Sequence, residues 1–386
     1  MPSAPAAHLH LGVDLDGAGH HPAAWREPNV RPAELFAADY FVDLVQRAER
    51  GRLDFVTIGD SFGLQPAARG DVRGRLDALL TLARVAPTTR AIGLVPEVTV
   101  THTEPFHVSK NIATLDYVSH GRAGWKVGVS SDPSEACHFG RKAAVPDPEL
   151  YEEAEAAVDV IVRLWDSWED DAVVRDIVTG RYIDRDKIHY VDFESRFFNV
   201  RGPSITPRPP QGHPIVAVDA TRDVALVIAA THADIVFVDA ADAGRARQRR
   251  DRVRAAARAV GRDPDTVAVL ANVDIVLEHD AAAARSVRRR LDARGGRSGP
   301  AAQPPTLDVV GTPFGLAGIL EDWFTRGAVD GFNVRPARLP DDLDLLVDGV
   351  VPVLRERGVF RLAYEGTTLR DHLGLARPLN RYAATT

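Results

Sequence analysis

Short apolar runs alternate with amphipathic segments along most of the chain, the pattern of strands that each lead into a helix. The runs Leu53–Ile58 and Ala123–Val129 are mainly apolar and are bounded by polar or glycine-containing turns, which is typical of strands covered on both faces. Apolar residues at i, i+4 and i+8 spacing predict a helix over Phe36–Arg50. Further strands are predicted at His8–Leu15, Ile92–Val100, His213–Val218, Ile235–Val238, Val267–Val276 and Val329–Val334. Further helices are predicted at Leu76–Val85, Pro105–Val118, Glu149–Trp165, Ala225–Thr231, Ala241–Val260, Ala282–Arg294, Phe314–Phe324 and Leu343–Arg357.

This alternation predicts an α/β protein with a parallel sheet of about eight strands. No GxGxxG follows the first strand, so a (β/α)8 TIM barrel with insertions is favoured over a doubly wound sheet. We expect a single domain over residues 1–386, with insertions at about 166–211 and 278–306. The first insertion is charged and too long for a simple connection, and the stretch Gly295–Pro305 has the glycine, serine and proline content of a mobile loop.

Composition excludes several classes of function. The net charge is −7 with both signs interspersed, so nucleic-acid binding is not expected. The single cysteine, Cys137, excludes an internal disulfide and a cysteine-based metal site, and no metal is expected. No apolar run reaches the roughly 20 residues that span a bilayer, and the first residues lack the features of a secretory signal. A cytoplasmic protein without membrane contact is therefore expected.

The region from Asn111 to Gly140 is the best candidate for the functional centre. It combines a helix, a turn at Ser119–Gly121, the buried strand Ala123–Val129 and a small polar loop that begins at Ser130. Loops after the carboxyl ends of parallel strands are where ligands bind in barrels and open α/β sheets. We therefore expect the chemistry beside Lys126, Val129 and Ser130.

Several segments, in the right order, resemble the bacterial-luciferase-like flavin monooxygenases. The resemblance is to the branch that contains nitrilotriacetate, EDTA and dibenzothiophene-sulfone monooxygenases. The matching segments are LDYVSHGRAGWKVGVSS at 115–131, GHHPAAWR at 19–26, LWDSWE at 164–169, VRGP at 200–203, PPQG at 209–212 and GTTLRDHLGLARP at 366–378. The family resemblance implies a TIM barrel and a reaction in which FMNH2, delivered by a separate NAD(P)H-dependent flavin reductase, transfers one oxygen atom of O2 to a small organic substrate. It also implies a homo-oligomer.

The resemblance assigns cofactor-binding roles to residues at several strand ends. Asp60 would lie against the flavin, although an aspartate that caps the next helix is the plainer reading. Thr99 and Thr101 would bond the edge of the flavin ring, but threonine is also a common strand residue. Ser130 and Tyr151 match the family serine and tyrosine, and the phenol would bond the ribityl chain or the phosphate.

The turn after the strand His213–Val218 is the expected phosphate site. Backbone N–H groups converge at the start of a helix, Thr221 lies there, and Arg222 would add a charge-assisted contact. An exposed turn arginine is the alternative. His20 and His21 are candidates for acid–base catalysis, with a surface loop pair as the alternative. Trp25 and Phe62 would form apolar pocket walls, or simply pack in the core.

The sequence departs from the family pattern at the expected cofactor surface. The family asparagine of the central strand is Lys126, the histidine before Tyr151 is Asp147, and Asp14 stands where an apolar residue is usual. A buried Lys126 would be costly without a partner, and we expect that partner to be Asp14, Asp60, Asp147 or an anionic ligand.

Three functions are therefore open from the sequence. The first is an FMN-dependent monooxygenase with a rearranged site, in which Arg222 and Lys126 replace lost donors. The second is the same barrel with another ligand, such as deazaflavin F420, or with no flavin, in which Asp14, Lys126 and Asp147 form a new polar constellation. The third is a binding protein that kept the fold and lost catalysis.

Overall fold

A computed structural model describes residues 8–64, 72–140, 143, 145–295 and 305–383. The strands in chain order are β1 His10–Asp14, β2 Phe55–Ile58, β3 Gly93–Thr99, β4 Gly124–Gly128, β5 Val173–Asp176, β6 Arg181–Ile183, β7 Phe193–Glu194, β8 Asn199–Val200, β9 Ile215–Asp219, β10 Ile235–Val238, β11 Ala268–Leu277, β12 Leu307–Gly311 and β13 Gly331–Pro336. The helices are α1 Ala38–Arg50, α2 Ala78–Val85, α3 Pro105–Val118, α4 Pro133–Phe139, α5 Asp147–Asp166, α6 Leu226–His232, α7 Ala243–Ala259, α8 Ala281–Gly295, α9 Pro313–Thr325, α10 Asp341–Leu345, α11 Val351–Glu356 and α12 Leu369–His372.

Eight parallel strands close into a barrel, which confirms the predicted (β/α)8 architecture. The order around the barrel is β1–β2–β3–β4–β9–β10–β11–β13, and β13 pairs with β1 to complete the ring. Strand β12 pairs only with β11, outside the closed ring. Every one of these pairings is parallel, so all the barrel strands end at the same rim.

Side chains alternate between the interior of the barrel and the layer of surrounding helices. Leu11, Val13, Val56 and other outward residues join the main core with the helices. The inward residues near the amino ends of the strands form a second apolar cluster. Its members are Phe55, Val95, Ile215, Ala217, Ile235, Phe237, Ala268, Leu270, Leu369 and Leu373.

The short helix α12 closes the amino-terminal end of the barrel. Leu369 packs into that second cluster, and a Cβ added at Gly93 of β3 would lie 2.6 Å from the Leu369 side chain. The backbone N–H of Leu369 also donates to the carbonyl of Gly121, before β4. This end is sealed, and the chemistry is left to the opposite rim.

The connection between α5 and β9 leaves the barrel and forms two antiparallel hairpins, β5–β6 and β7–β8. The second predicted insertion contains α8, and most of the predicted mobile loop, residues 296–304, lies outside the described residues. No helix of the described part of the chain is long and apolar enough to cross a membrane.

Most predicted elements have the expected position, and α3 begins and ends where predicted. Phe36 is the main error in α1, because it precedes the helix and is 56% exposed. Helix α4 lies in what was predicted as a polar loop, although Asp132 caps it and Pro133 opens it, both ordinary start signals. Strand β12 and helix α12 were not predicted, and the final predicted helix contains a π-helical turn at Leu346–Val350.

Candidate active site

The inward side chains change from apolar to charged near the carboxyl ends of the barrel strands. Below this level the interior holds the apolar cluster sealed by α12. At and just beyond the strand ends, the inward positions are mostly ionisable or amide side chains. These residues are Asp14 on β1 and Asp16 after it, Glu97 on β3, Lys126 on β4, Asp219 on β9, Asp239 after β10, Asn272 and Asp274 on β11, and Asn333 and Arg335 on β13.

Lys126 lies half-buried at this rim, with 16% of its side chain exposed, and pairs with Glu97 of the neighbouring strand. The register of β3 and β4 places the two residues opposite each other, and Nζ lies 2.7 Å from Oε2 of Glu97. Although burial opposes the charged form, the carboxylates of Glu97 and Asp14 raise the pKa of Lys126. The sequence predicted Asp14, Asp60, Asp147 or an anionic ligand as the partner of a buried Lys126. The direct partner is Glu97, which was not predicted, and Asp14 acts on Lys126 through its charge.

Arg335 is the second cation of the rim. Its Nε lies 2.7 Å from Oδ1 of Asp274. Burial opposes its charge, but Asp274 and Asp239 raise the pKa of Arg335. His20 reaches the same group, with Nε2 3.8 Å from Oδ1 of Asp274. Desolvation, reinforced by the Arg335 charge, lowers the pKa of His20, so its imidazole is neutral at neutral pH.

An amide relay links β10, β11 and β13 inside the rim. Asn272 donates from Nδ2 to Oδ1 of Asp239 at 2.9 Å, and Asn333 donates from Nδ2 to Oδ1 of Asn272 at 3.1 Å. Oδ1 of Asn333 and Oγ1 of Thr57 are buried and have no hydrogen-bond partner among the described residues. Burial raises the pKa of the Asp239 carboxyl, and the Arg335 charge opposes that rise.

Asp16 also faces this rim, next to the β2 turn. Burial, followed by repulsion from Asp14, raises the pKa of Asp16 to about 6. An ordinary aspartate titrates near 4. Its Oδ2 lies 3.5 Å from where a Cβ would be on Gly59, the residue that follows β2. Asp16 is therefore a carboxyl that is partly protonated near neutral pH.

A cluster of donors lies on the β4–β9 side of the rim. Arg222 forms an ion pair with Asp147 at the start of α5. Its guanidinium carbon lies 6.0 Å from the centre of the Tyr151 ring. Burial, followed by the charges of Asp219 and Glu97, raises the pKa of Tyr151 to about 12. The sequence predicted flavin contacts for Arg222 and Tyr151, and these contacts stay predictions. Asp147, which was expected near Lys126, forms its ion pair with Arg222.

Thr221 belongs to the same turn. Its backbone N–H donates to Oδ1 of Asp219 at 2.9 Å, so the carboxylate holds the turn that follows β9.

The predicted hydroxyl residues at the ends of β3 and β4 contact other residues of the chain. Thr99 is buried, and its Oγ1 lies 3.0 Å from where a Cβ would be on Gly128. Oγ1 of Thr101 accepts a hydrogen bond from the backbone N–H of Ser130 at 3.1 Å. The Ser130 hydroxyl donates to the carboxylate of Glu135. These contacts stabilise the rim, and the proposed contacts of these hydroxyls with a cofactor stay predictions.

Two other predicted residues, Asp60 and His21, contact nearby parts of the structure. Asp60 accepts hydrogen bonds from the backbone N–H groups of Ser61 at 2.8 Å and of Ala78 at 2.9 Å. These contacts match the helix-capping alternative that the sequence left open for Asp60. His21 contacts Asp292 of α8 at 3.2 Å through Nε2, and its Nδ1 accepts from the N–H of Ala23. Both ring nitrogens of His21 are therefore engaged away from the charged rim.

Aromatic rings form an apolar wall beside the β2–β4 part of the rim. Phe62 and Phe139 meet edge to face with ring centres 4.7 Å apart, and His102 stacks on Phe139 at 4.9 Å. Phe62 therefore packs against another ring beside the rim, and its role as the wall of a ligand pocket stays a prediction. Trp25 packs against the main core and contacts the Arg26 guanidinium at 4.9 Å, which is the core alternative.

The sequence reading missed much of the polar rim. The sequence analysis predicts no functional role for six of its residues, which are Glu97, Asp239, Asn272, Asp274, Asn333 and Arg335. The available signal was alternation, because Asn272 and Asp274, like Asn333 and Arg335, occupy every second position of an otherwise apolar strand. Polar residues on the inward positions of a barrel strand indicate its ligand-binding end.

Comparison with known proteins gives a consistent result. The family model described as luciferase-like monooxygenase matches residues 16–310. The chain is 33% identical to N-acetyl-S-(2-succino)cysteine monooxygenase of Bacillus subtilis, over 97% of this chain and 98% of that protein. It is 31% identical to nitrilotriacetate monooxygenase component A of Aminobacter aminovorans, over 97% and 98% of the two chains.

A solved structure shows the same architecture. EDTA monooxygenase from Chelativorans sp. BNC1 superposes with a TM-score of 0.86 at 25% identity, covering 96% of this chain and 99% of that chain. The similarity therefore extends over the barrel and its excursions, and not only over the central strand.

Proposed function

Because the chain belongs to the luciferase-like monooxygenase family, we propose that it is the oxygenase component of a two-component system that uses FMNH2. A separate NAD(P)H-dependent flavin reductase would supply the reduced flavin, and the substrate would be a small organic molecule. We place both components in the cytoplasm, where NAD(P)H is available. The observation that carries the proposal is the set of phosphate-type donors on the same rim as the buried cations.

The donors on the β4–β9 side suit the phosphate of FMN. A guanidinium has five N–H donors in a planar fork, so Arg222 can hold a phosphate while it keeps contact with Asp147. Tyr151 remains a phenol at neutral pH because its pKa is raised to about 12, first by burial, and it can therefore donate to an anion. Thr221 adds a hydroxyl and a turn at the start of the segment that leads into α6.

The cations of the rim suit the ring of a reduced flavin, which is electron-rich and readily carries a negative charge. Lys126 is held on the inner wall by Glu97 and stays protonated because Glu97 and Asp14 outweigh the cost of burial. Gly59 and Gly128 leave two strand ends without side chains, which gives a flat group access to the wall. The residues present therefore fit the cofactor.

When bound, reduced FMN supplies two electrons that activate O2, so that one oxygen atom enters the substrate and the other leaves as water. The chain supplies the surroundings for this chemistry. His20 is a neutral imidazole at the rim, and its Nε2 can take up or release a proton beside Asp274. The wall formed by Phe62, Phe139 and His102 excludes water from the β2–β4 side.

Two further features belong to the proposal. The excursion at 166–211 would form the outer edge of the site. The tip of the β5–β6 hairpin exposes 94% of Ile177 and 95% of Val178, an apolar surface that association with a second copy would cover. We therefore expect a homo-oligomer, and light scattering on the purified chain tests this.

The experiment is a titration of the purified chain with FMN, followed by quenching of flavin fluorescence. We expect micromolar binding, and Arg222→Ala should weaken it about tenfold through the loss of a charge-assisted contact. Arg201→Ala is the matched control, since Arg201 is exposed on the β7–β8 hairpin. Absence of FMN binding by the unmodified chain would contradict the proposal, and tight binding of F420 in its place would support the alternative cofactor.

A further inference from the structure

The half of the rim that lies away from Arg222 has more carboxylates than cations. It is formed by the adjacent strands β10, β11, β13 and β1, and is called the acidic half below. Its residues are Asp14, Asp239, Asn272, Asp274, Asn333 and Arg335. Arg335 pairs with Asp274. In the described part of the chain, no lysine, arginine or histidine nitrogen lies within ion-pair distance of Asp14 or Asp239.

The amide relay provides an independent sign of a ligand. An ionised Asp239 can only accept, so Asn272 must turn its Nδ2 towards the carboxylate and its Oδ1 towards Asn333. Asn333 must then donate to Asn272, which leaves its Oδ1 as an acceptor with no partner. Asn333 is 5% exposed and inward-facing, because its neighbours Phe332 and Val334 both belong to the helix-facing core. An unpaired buried acceptor is costly, and it calls for a donor inside the barrel.

Thr57 adds a second group of this kind. Its Oγ1 is also buried without a partner, on the inward face of β2, the strand that follows β1 around the barrel. The interior below the acidic half therefore holds one unpaired acceptor, Oδ1 of Asn333, and one unpaired hydroxyl that can donate or accept.

The chemistry of these groups selects among possible occupants. A carboxylate or phosphate would be repelled by Asp14 and Asp239, and a purely apolar group would remove their hydration without compensation. A metal ion does not suit the arrangement, because within the described ranges no three histidine, cysteine, aspartate or glutamate side chains converge as ligands. An ammonium group carries one positive charge and several N–H donors, which matches a carboxylate beside an amide oxygen.

We propose that the substrate carries a protonated aliphatic amine, whose ammonium group binds in the acidic half between the Asp239 carboxylate and Oδ1 of Asn333. This inference rests on the oxygenase function proposed above, and it narrows the substrate class of that same site. The amine anchors one end of the substrate, so the carbon or heteroatom that receives oxygen lies further along the molecule, towards the β4–β9 side.

The test compares three probes of equal length, hexylammonium, hexanol and hexanoate, by calorimetric titration of the purified full chain near pH 7.5. Hexylammonium should bind at least about tenfold more tightly than hexanol, as expected for a hydrogen-bonded charge, and hexanoate should not bind. The preference should weaken as salt is raised.

Two variants locate the binding site. Asp239→Asn keeps an amide oxygen that can accept from Asn272 and removes only the charge, and it should lower hexylammonium affinity about tenfold. Asp251→Asn removes the same charge from the exposed face of α7 and is the matched control. Asn333→Val removes the unpaired acceptor and should also weaken amine binding, with hexanol affinity unchanged.

The outcomes separate this inference from the proposed function. Equal affinity for the three probes, preference for hexanoate, no binding of hexylammonium, or full affinity in Asp239→Asn would overturn the amine-bearing substrate, and the unpaired acceptor would then be satisfied by water. FMN binding is measured on the same samples. If FMN binds normally while the amine result is negative, the substrate inference fails alone; if FMN does not bind, the oxygenase proposal fails whatever the amine does.

Discussion

The two ends of the barrel use buried carboxylates in different ways. At the closed end, Asp234 accepts from both terminal nitrogens of Arg370, at 3.2 and 3.0 Å, and from the backbone N–H of Val216 at 2.9 Å. Asp54 likewise binds Arg361, and also the backbone N–H of Leu11 at 2.7 Å. At the open end, cations are shared among several carboxylates.

This difference distinguishes carboxylates that stabilise the fold from carboxylates that are available to a ligand. A buried carboxylate that serves the fold acquires a partner of opposite charge or several N–H donors, because the unpaired form costs several kcal/mol. Among the residues that the structure describes, Asp239 has only the Asn272 amide as a direct hydrogen-bond partner, with Arg335 nearby. The incomplete pairing at one rim of the barrel therefore marks the site, independently of any comparison with other proteins.

The largest expected effect on stability comes from a substitution at the closed end of the barrel. Asp234→Asn removes the partner of a buried arginine and should lower the free energy of unfolding by about 3–5 kcal/mol. Denaturant unfolding followed by circular dichroism measures this loss. Asp251→Asn, on an exposed helix face, should change stability by less than about 0.5 kcal/mol. A loss of that small size for Asp234→Asn would remove the distinction between the two ends.

The second prediction concerns pH and the closed end. Burial, followed by the Arg361 charge, lowers the pKa of His372 to about 4. Within the part of the chain that the structure describes, neither of its ring nitrogens has a hydrogen-bond partner. Because the unfolded chain takes up a proton near pH 6.5, the contribution of neutral His372 to stability is complete above that pH. It should decline between about pH 6.5 and 4, by up to about 3 kcal/mol.

A replacement without a titrating group isolates this effect. His372→Phe keeps an aromatic ring beside Tyr364, which lies 4.8 Å away. The wild-type chain should lose more stability than the variant between pH 7 and 4.5, since other titrating groups act equally in both. Parallel stability profiles for the two chains would contradict the assigned pKa.

The smallest expected effect on the free energy of unfolding comes from a substitution at the open end, and it is opposite in sign to the effect of Asp234→Asn. Asp239→Asn relieves repulsion with Asp219 and Asp274 and removes a desolvated charge, so it should leave stability unchanged or raise it by up to about 1 kcal/mol. The measurement is the same denaturant titration that is used for Asp234→Asn. A loss above about 2 kcal/mol would place Asp239 among the structural carboxylates.

The sequence predicted the barrel because its evidence is local. Short apolar runs indicate strands, and apolar residues at helical spacing indicate helices. The alternation of strands and helices then limits the possible architectures to those with a parallel sheet. Helix α3 and strand β10 match their predicted bounds for this reason. The predicted helix start at Phe36 is wrong because the spacing of apolar residues does not show where a helix begins when no capping side chain marks its first turn.

The site was predicted less completely because its contacts depend on register. The sequence indicated that a buried Lys126 would need an acidic partner, but its pairing with Glu97 follows from which residues of β3 and β4 lie opposite each other. The relay from Asp239 to Asn333 joins strands far apart in the chain. Spacing along one segment does not contain that information.

The helix that closes the barrel has a consequence for biosynthesis. All the barrel strands precede Leu369 in the chain, so they leave the ribosome before their floor exists. Until α12 arrives, Phe55, Phe237 and their apolar neighbours face water through the open bottom. The nascent chain is therefore exposed to aggregation until this cluster is covered.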